Sequence, residues 1–142
     1  MSATELQNLI DGRLIPAASG DVLDSIDPST AAVWATIPRG GEADVAAAVD
    51  AATRAFDGWW GGAALERSAH LRRISDLMAE HGRDLAETET RDNGRPISET
   101  TSFDVAACVQ MFQYFAGAAD KIEGSTVNVS PASFNFTRRE PL

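Results

Sequence analysis

The spacing of apolar residues changes period along the chain. Up to residue 38 the apolar runs are short and extended. Leu9-Ile10 and Leu14-Ile15 flank Asp11-Gly12, which predicts a tight hairpin, because Asp-Gly supplies the positive φ angles of a two-residue turn. Residues 22–27 form a second extended run, Asp27-Pro28-Ser29-Thr30 reads as a turn, and Ala32 to Ile37 is β-rich. From Val45 the spacing becomes helical. Val45, Val49, Ala52, Phe56 and Trp59 predict one amphipathic helix, with Gly58 to Gly62 and its two tryptophans read as a linker. Leu65, Leu71, Ile74, Met78 and His81 predict a second helix stopped by Gly82. Leu85, Ala86 and Glu89 mark a third, closed by Asn93-Gly94, and Pro96 opens a fourth. Residues 126–129 and 134–137 alternate as two further strands. The order is strands (8–38), four helices (42–122), then strands, an α+β pattern.

The fourth helix, residues 98–119, dominates the picture. One apolar row runs through Val105, Val109, Phe112, Ala116 and Ala119. A second runs through Phe103, Ala107, Met111, Tyr114 and Ala118, and from residue 100 to 119 Asp104 is the only charge. A helix apolar on two faces needs cover on both. Asp104, Gln110 and Gln113 interrupt it too often for a membrane span.

Composition narrows the partners. The chain has 142 residues, enough for one domain, and a formal net charge of -9. That charge argues against a nucleic-acid or acidic-membrane partner, which would need a basic face. Arg72-Arg73 and Arg138-Arg139 read as solvated surface pairs. Cys108 is the only cysteine, which fits a reducing, cytoplasmic compartment. The N-terminus has no basic region followed by an apolar core, so no signal peptide is expected.

Catalytic motifs are scarce. The sequence has no GxGxxG, no phosphate-binding P-loop and no nucleophile elbow. His70 and His81 have no ligand partners at metal-site spacing. Cys108, inside the apolar helix, is expected to be a buried packing residue rather than a nucleophile. Asp92 stands out among Glu87, Glu89 and Asp92, because it sits where the third helix ends and main-chain carbonyls are open, a hard-cation arrangement.

Five stretches in order resemble the N-terminal part of the aldehyde dehydrogenase superfamily. They are LIDGRLIPAASG running into DPST, EADVAAAVDAATRAFDGWW, ERSAHLRRISDLMAEHGRDLAETETRDNGRP, YFAGAADKIEG, and TRREPL at the end. Ala31-Ala32 stand where the family often has Gly-Glu, and Arg95 where Lys is frequent.

The resemblance implies an α/β parent enzyme that oxidises an aldehyde to a carboxylic acid through a cysteine thioester, with NAD or NADP as acceptor. It places the catalytic cysteine, the glutamate base, the oxyanion asparagine and the main cofactor contacts beyond Leu142, so no catalytic or cofactor-binding residue is assigned in this chain. Whether this chain is itself an enzyme stays open at this point. It implies a monovalent cation, K+ or Na+, at Ser25, Ile26 and Asp92. It implies a substrate tunnel lined by Phe103, Ala107 and Met111. Residues 123–142 resemble the start of an oligomerisation arm. The expected partners are the missing C-terminal part of the enzyme, further copies of the subunit, and the aldehyde. The alternative reading is a non-catalytic interaction module that completes or regulates an enzyme.

Overall fold

Asp11 and Gly12 take φ angles of 53° and 71°, the left-handed pair that a two-residue hairpin turn demands. They join strands β2 (Asn8–Ile10) and β3 (Arg13–Ile15), which pair antiparallel with Leu9 opposite Leu14. The computed structural model describes residues 3–141. Met1, Ser2 and Leu142, the last residue of the TRREPL stretch, lie outside the described residues.

A second sheet has three strands. Strand β4 (Val22–Asp27) runs antiparallel to β5 (Ala32–Pro38). The Asp27-to-Thr30 turn joins them, with the Asp27 carboxylate accepting from the Ser29 N–H and hydroxyl. These hydrogen bonds hold the Asp27 carboxyl below its ordinary range. Strand β1 (Thr4–Glu5) adds to β5 in parallel, a two-residue pairing that no local signal announces.

Three helices follow: α1 (Glu42–Gly61), α2 (Ala64–Glu80) and α3 (Gly82–Asn93). The reading of Gly58 to Gly62 as a linker is corrected, since α1 continues through both tryptophans to Gly61. Arg67 explains the extension. Its Nη1 donates to the carbonyls of Trp59, Trp60 and Gly62, and its guanidinium lies 5.1 Å from the Trp60 ring centre. The orphan carbonyls of the helix end thus gain a cation. At the other end, Asp44 reaches back to the Gly41 N–H and across to the Ala18 N–H.

The fourth helical rod begins after Pro96 as α4 (Ile97–Glu99), passes through a π-helical turn (Thr100–Asp104), and continues as α5 (Val105–Ala118). It packs on α2 through small residues. Ser68 and Ser75 are buried and donate to the Ala116 and Val109 carbonyls. The row Val105, Val109, Phe112, Ala116 and Ala119 therefore turns inward, while Phe103, Ala107, Met111 and Tyr114 stay exposed. A terminal hairpin, β6 (Thr126–Ser130) and β7 (Ser133–Phe136), completes the α+β order.

The core is sparse. Among the described residues the buried apolar side chains are Ala17, Ala35, Ala86 and Ala116. The accessible surface is 10778 Å², against about 7,100 Å² for a folded monomer of this mass. No helix among the described residues is long and apolar enough to cross a membrane.

Candidate functional site

The π turn organises the open side of the last helix. The Val105 N–H donates to the Thr100 carbonyl, five residues back. Thr100 is fully buried, and its hydroxyl meets that of Thr90 on α3 at 3.0 Å and the Ile97 carbonyl at 3.2 Å. Arg95 spans the turn: Nη2 lies 3.2 Å from Glu99, and Nε donates to Asp104. The Asp104 carboxylate holds the Arg95 guanidinium above its already high ordinary value.

Phe103 projects from this turn at 65% exposure, and Ala107 and Met111 follow on the same side of α5. Tyr114 and Phe115 stack edge-on with centres 5.3 Å apart. The three sequence-assigned tunnel residues therefore stand together as one uncovered row.

Beside it lies a groove of about 490 Å³ between the β1–β5 sheet and helices α3 and α5. Leu6, Trp34, Ile37, Met78, Leu85 and Val105 give it apolar walls, while Glu89, Asp92 and Asp104 supply carboxylates. Cys108 lies on its wall and is exposed, which corrects the expectation of a buried packing cysteine. The reason is rotational: Cys108 falls between the inward and outward rows, and no described residue covers the groove there.

Ser25 and Asp92, assigned to a cation, are brought together. The Ser25 hydroxyl donates to Asp92 Oδ1 at 2.5 Å and accepts from Trp34 Nε1 at 2.9 Å. Arg91 covers the Trp34 ring at 5.8 Å. Ile26 follows Ser25 across a register shift in β4, its side chain exposed. One carboxylate, that of Asp92, thus stands beside the register shift in β4. Among the described residues no three His, Cys, Asp or Glu side chains converge as a metal-binding group. Sequence reasoning missed Trp34 and Arg95. Trp34 carried no signal, whereas Arg95 stood four residues before Glu99, an i,i+4 ion-pair spacing.

This groove does not fit a dinucleotide. The groove's charged residues are carboxylates, which repel a pyrophosphate, and its lining includes no Lys or Arg.

The sequence profile of the aldehyde dehydrogenase family matches residues 15–142. DhaS of Bacillus subtilis (strain 168) is 43% identical over 135 residues, covering 94% of this chain and 27% of DhaS. An NAD+ complex of aldehyde dehydrogenase from Bacillus cereus superimposes with a TM-score of 0.94 at 34% identity, covering 96% of this chain and 28% of that one. The gamma-glutamyl-gamma-aminobutyraldehyde dehydrogenase of Burkholderia cenocepacia J2315 gives 0.86 at 39% identity, covering 91% and 27%. The chain thus spans about a quarter of the length of these relatives. With the match running through nearly all its residues, this chain belongs to the aldehyde dehydrogenase family, to whose N-terminal portion it corresponds.

Proposed function

We propose that these residues form a non-catalytic wall of an NAD(P)-dependent aldehyde-oxidising enzyme and do not oxidise aldehydes by themselves. The surplus of accessible surface carries this reading. It amounts to about 3,700 Å² on this chain alone, well above the roughly 800 Å² per partner of a standard-size interface. It includes the Phe103, Ala107 and Met111 row, the acidic groove, and the β6–β7 hairpin with Val127, Val129, Phe134 and Phe136 exposed. Further polypeptide covers these surfaces in the working enzyme.

In that assembly Phe103 narrows the mouth of the aldehyde tunnel, Ala107 leaves room, and Met111 adapts to the substrate chain. Ser25, Ile26 and Asp92 hold K+ or Na+ near the tunnel side, Asp92 through its carboxylate and the others through main-chain carbonyls. The β6–β7 hairpin opens an arm that pairs with another subunit through its free strand edges. The thioester chemistry belongs to a cysteine other than Cys108, since Cys108 lies outside any stretch resembling the family's catalytic motif. The single-cysteine, acidic composition fits the cytoplasm.

The test is an assay of the purified chain with NAD+ or NADP+ and short aldehydes, followed by nicotinamide absorbance. No turnover is expected. Turnover that disappears in Cys108→Ser would overturn the reading.

A further inference from the structure

Thr100 and Val105 both turn inward, yet they are five residues apart. In a continuous α-helix, inward positions recur at three and four. The inward row Val105, Val109, Phe112 and Ala116 would therefore extend back to residue 101 or 102, and Thr100 would swing away from Thr90. The chain holds both anchors because the π turn absorbs one extra residue.

Arg95 reads the same register. Its guanidinium joins Glu99 and Asp104, also five residues apart. Positions five apart on an α-helix point about 140° away from each other, whereas a π turn brings them onto one side. One planar fork gripping both carboxylates is compatible with the π register and disfavours the α register.

We propose that Arg95 is a positioning residue that locks the π turn, and through it fixes the rotation of the Phe103, Ala107 and Met111 row relative to α3 and the groove. The part about the row rests on the tunnel reading above. The lock itself is a statement about the backbone and stands independently. Thr100, paired with Thr90, anchors the near side, while Ser68 and Ser75 anchor the far side through the Ala116 and Val109 carbonyls. Between these anchors the extra residue is free to migrate unless something pins it. Ser102, whose hydroxyl donates to the Ser98 carbonyl, and Thr101 are both exposed and offer no tertiary pin of their own.

The test uses the full chain and reads the Val105 amide, by hydrogen exchange and by scalar coupling across its hydrogen bond. In the parent protein the coupling runs to the Thr100 carbonyl. Arg95→Gln releases the lock: the coupling is lost or moves to Thr101, and Val105 exchange rises about tenfold. Val109 and Ala116 exchange stays unchanged, because their anchors are elsewhere. Arg95→Lys restores part of the protection, since one ammonium engages one carboxylate at a time. Deleting Thr101 in the Arg95→Gln background restores protection fully, because no extra residue remains to be pinned. A merely stabilising role for Arg95 would raise exchange throughout the rod, and deletion of Thr101 would not rescue it. Unchanged Val105 protection in Arg95→Gln, uniform loss across α5, or failure of the deletion to rescue would each overturn the proposal. None of these readouts involves an aldehyde, so a failure of the tunnel reading leaves them as they are.

Discussion

The hydroxyl of Ser68 donates to the main-chain carbonyl of Ala116 at 2.7 Å, a buried hydrogen bond between helices α2 and α5. Ser75, seven residues on, repeats it to Val109 at 3.0 Å. Two small side chains two turns apart let the helices approach closely, and each hydroxyl is satisfied by the neighbouring backbone. Ser68→Ala is expected to cost about 1 kcal/mol, one net hydrogen bond. Ser75→Leu is expected to cost about 1–3 kcal/mol, by forcing a larger side chain into a fully closed contact. Urea midpoints measure both. A Ser75→Leu protein as stable as the parent would refute this account of the seam.

The glycine at position 94 caps α3 in the left-handed region, with φ 79° and its N–H donating to the Thr90 carbonyl. A Cβ there would stand 3.2 Å from Pro28 Cβ in the Asp27-to-Thr30 turn. Gly94→Ala therefore meets both backbone strain and crowding, and should lose about 1–2 kcal/mol. Ala31 is the converse. It holds φ 56° with a Cβ, where the family resemblance favours glycine. Ala31→Gly should gain up to about 1 kcal/mol. Thermal melts of the two variants should move in opposite directions, and movement in the same direction would refute the argument.

These two sites also show why some features were legible in the sequence. Asp11-Gly12 and Asn93-Gly94 announce themselves because turn chemistry is local. The inward row of α5 was visible for the same kind of reason, a regular spacing. The seam on α2 was not: the apolar row from Leu65 to Met78 draws the eye, while the closest approach is made by serines that read as surface. The π turn escaped because periodicity assumes 3.6 residues per turn throughout. Trp59 and Trp60 were misread because three nearby glycines lower helix propensity, and the compensating cation, Arg67, comes from the next helix. The Ser25–Asp92 pair was reachable only through the family resemblance, since 67 residues separate the partners.

Acid should weaken the fold through Asp44. Hydrogen bonds from the Gly41 and Ala18 N–H groups, in that order of effect, hold its carboxyl below the ordinary value of 3.8. The folded pKa is lower than the unfolded one, so the unfolded chain takes up the proton first on acidification. The stability is fully present above the unfolded value and is lost as pH falls through the folded one. Asp27 and Asp120 are lowered too, by Ser29 and Lys121 respectively, so the parent protein's melting temperature should drop steadily below about pH 4. Asp44→Asn should melt lower than the parent at neutral pH and show a shallower acid decline. Parallel pH profiles for parent and variant would contradict the assignment.

Monovalent cations should stabilise the chain if Asp92 and the Ser25–Ile26 carbonyls hold one. Binding to the folded state alone adds about 0.4 kcal/mol at a cation concentration equal to Kd, and more above it. K+ or Na+ should therefore raise the melting temperature beyond the effect of a bulky organic cation at equal ionic strength. Asp92→Asn should abolish the difference. The same response to every cation in the parent protein would count against a site.

Cys108 should report whether the groove is covered. The thiol is exposed, next to a groove whose walls include Leu6, Trp34 and Val105. In the isolated chain a thiol reagent should therefore modify Cys108 without prior unfolding, so the rate should stay flat as urea is raised below the midpoint. A buried cysteine would behave otherwise, since its labelling requires opening and accelerates with denaturant. Cover from further polypeptide of the enzyme should slow the reaction, because the groove wall becomes an interface core. Covering the apolar row and groove together should also remove the binding of a hydrophobic dye that the isolated chain is expected to show. Labelling of the isolated chain that tracks global unfolding would mean that Cys108 is already enclosed, and would remove the groove from the surfaces that await a partner.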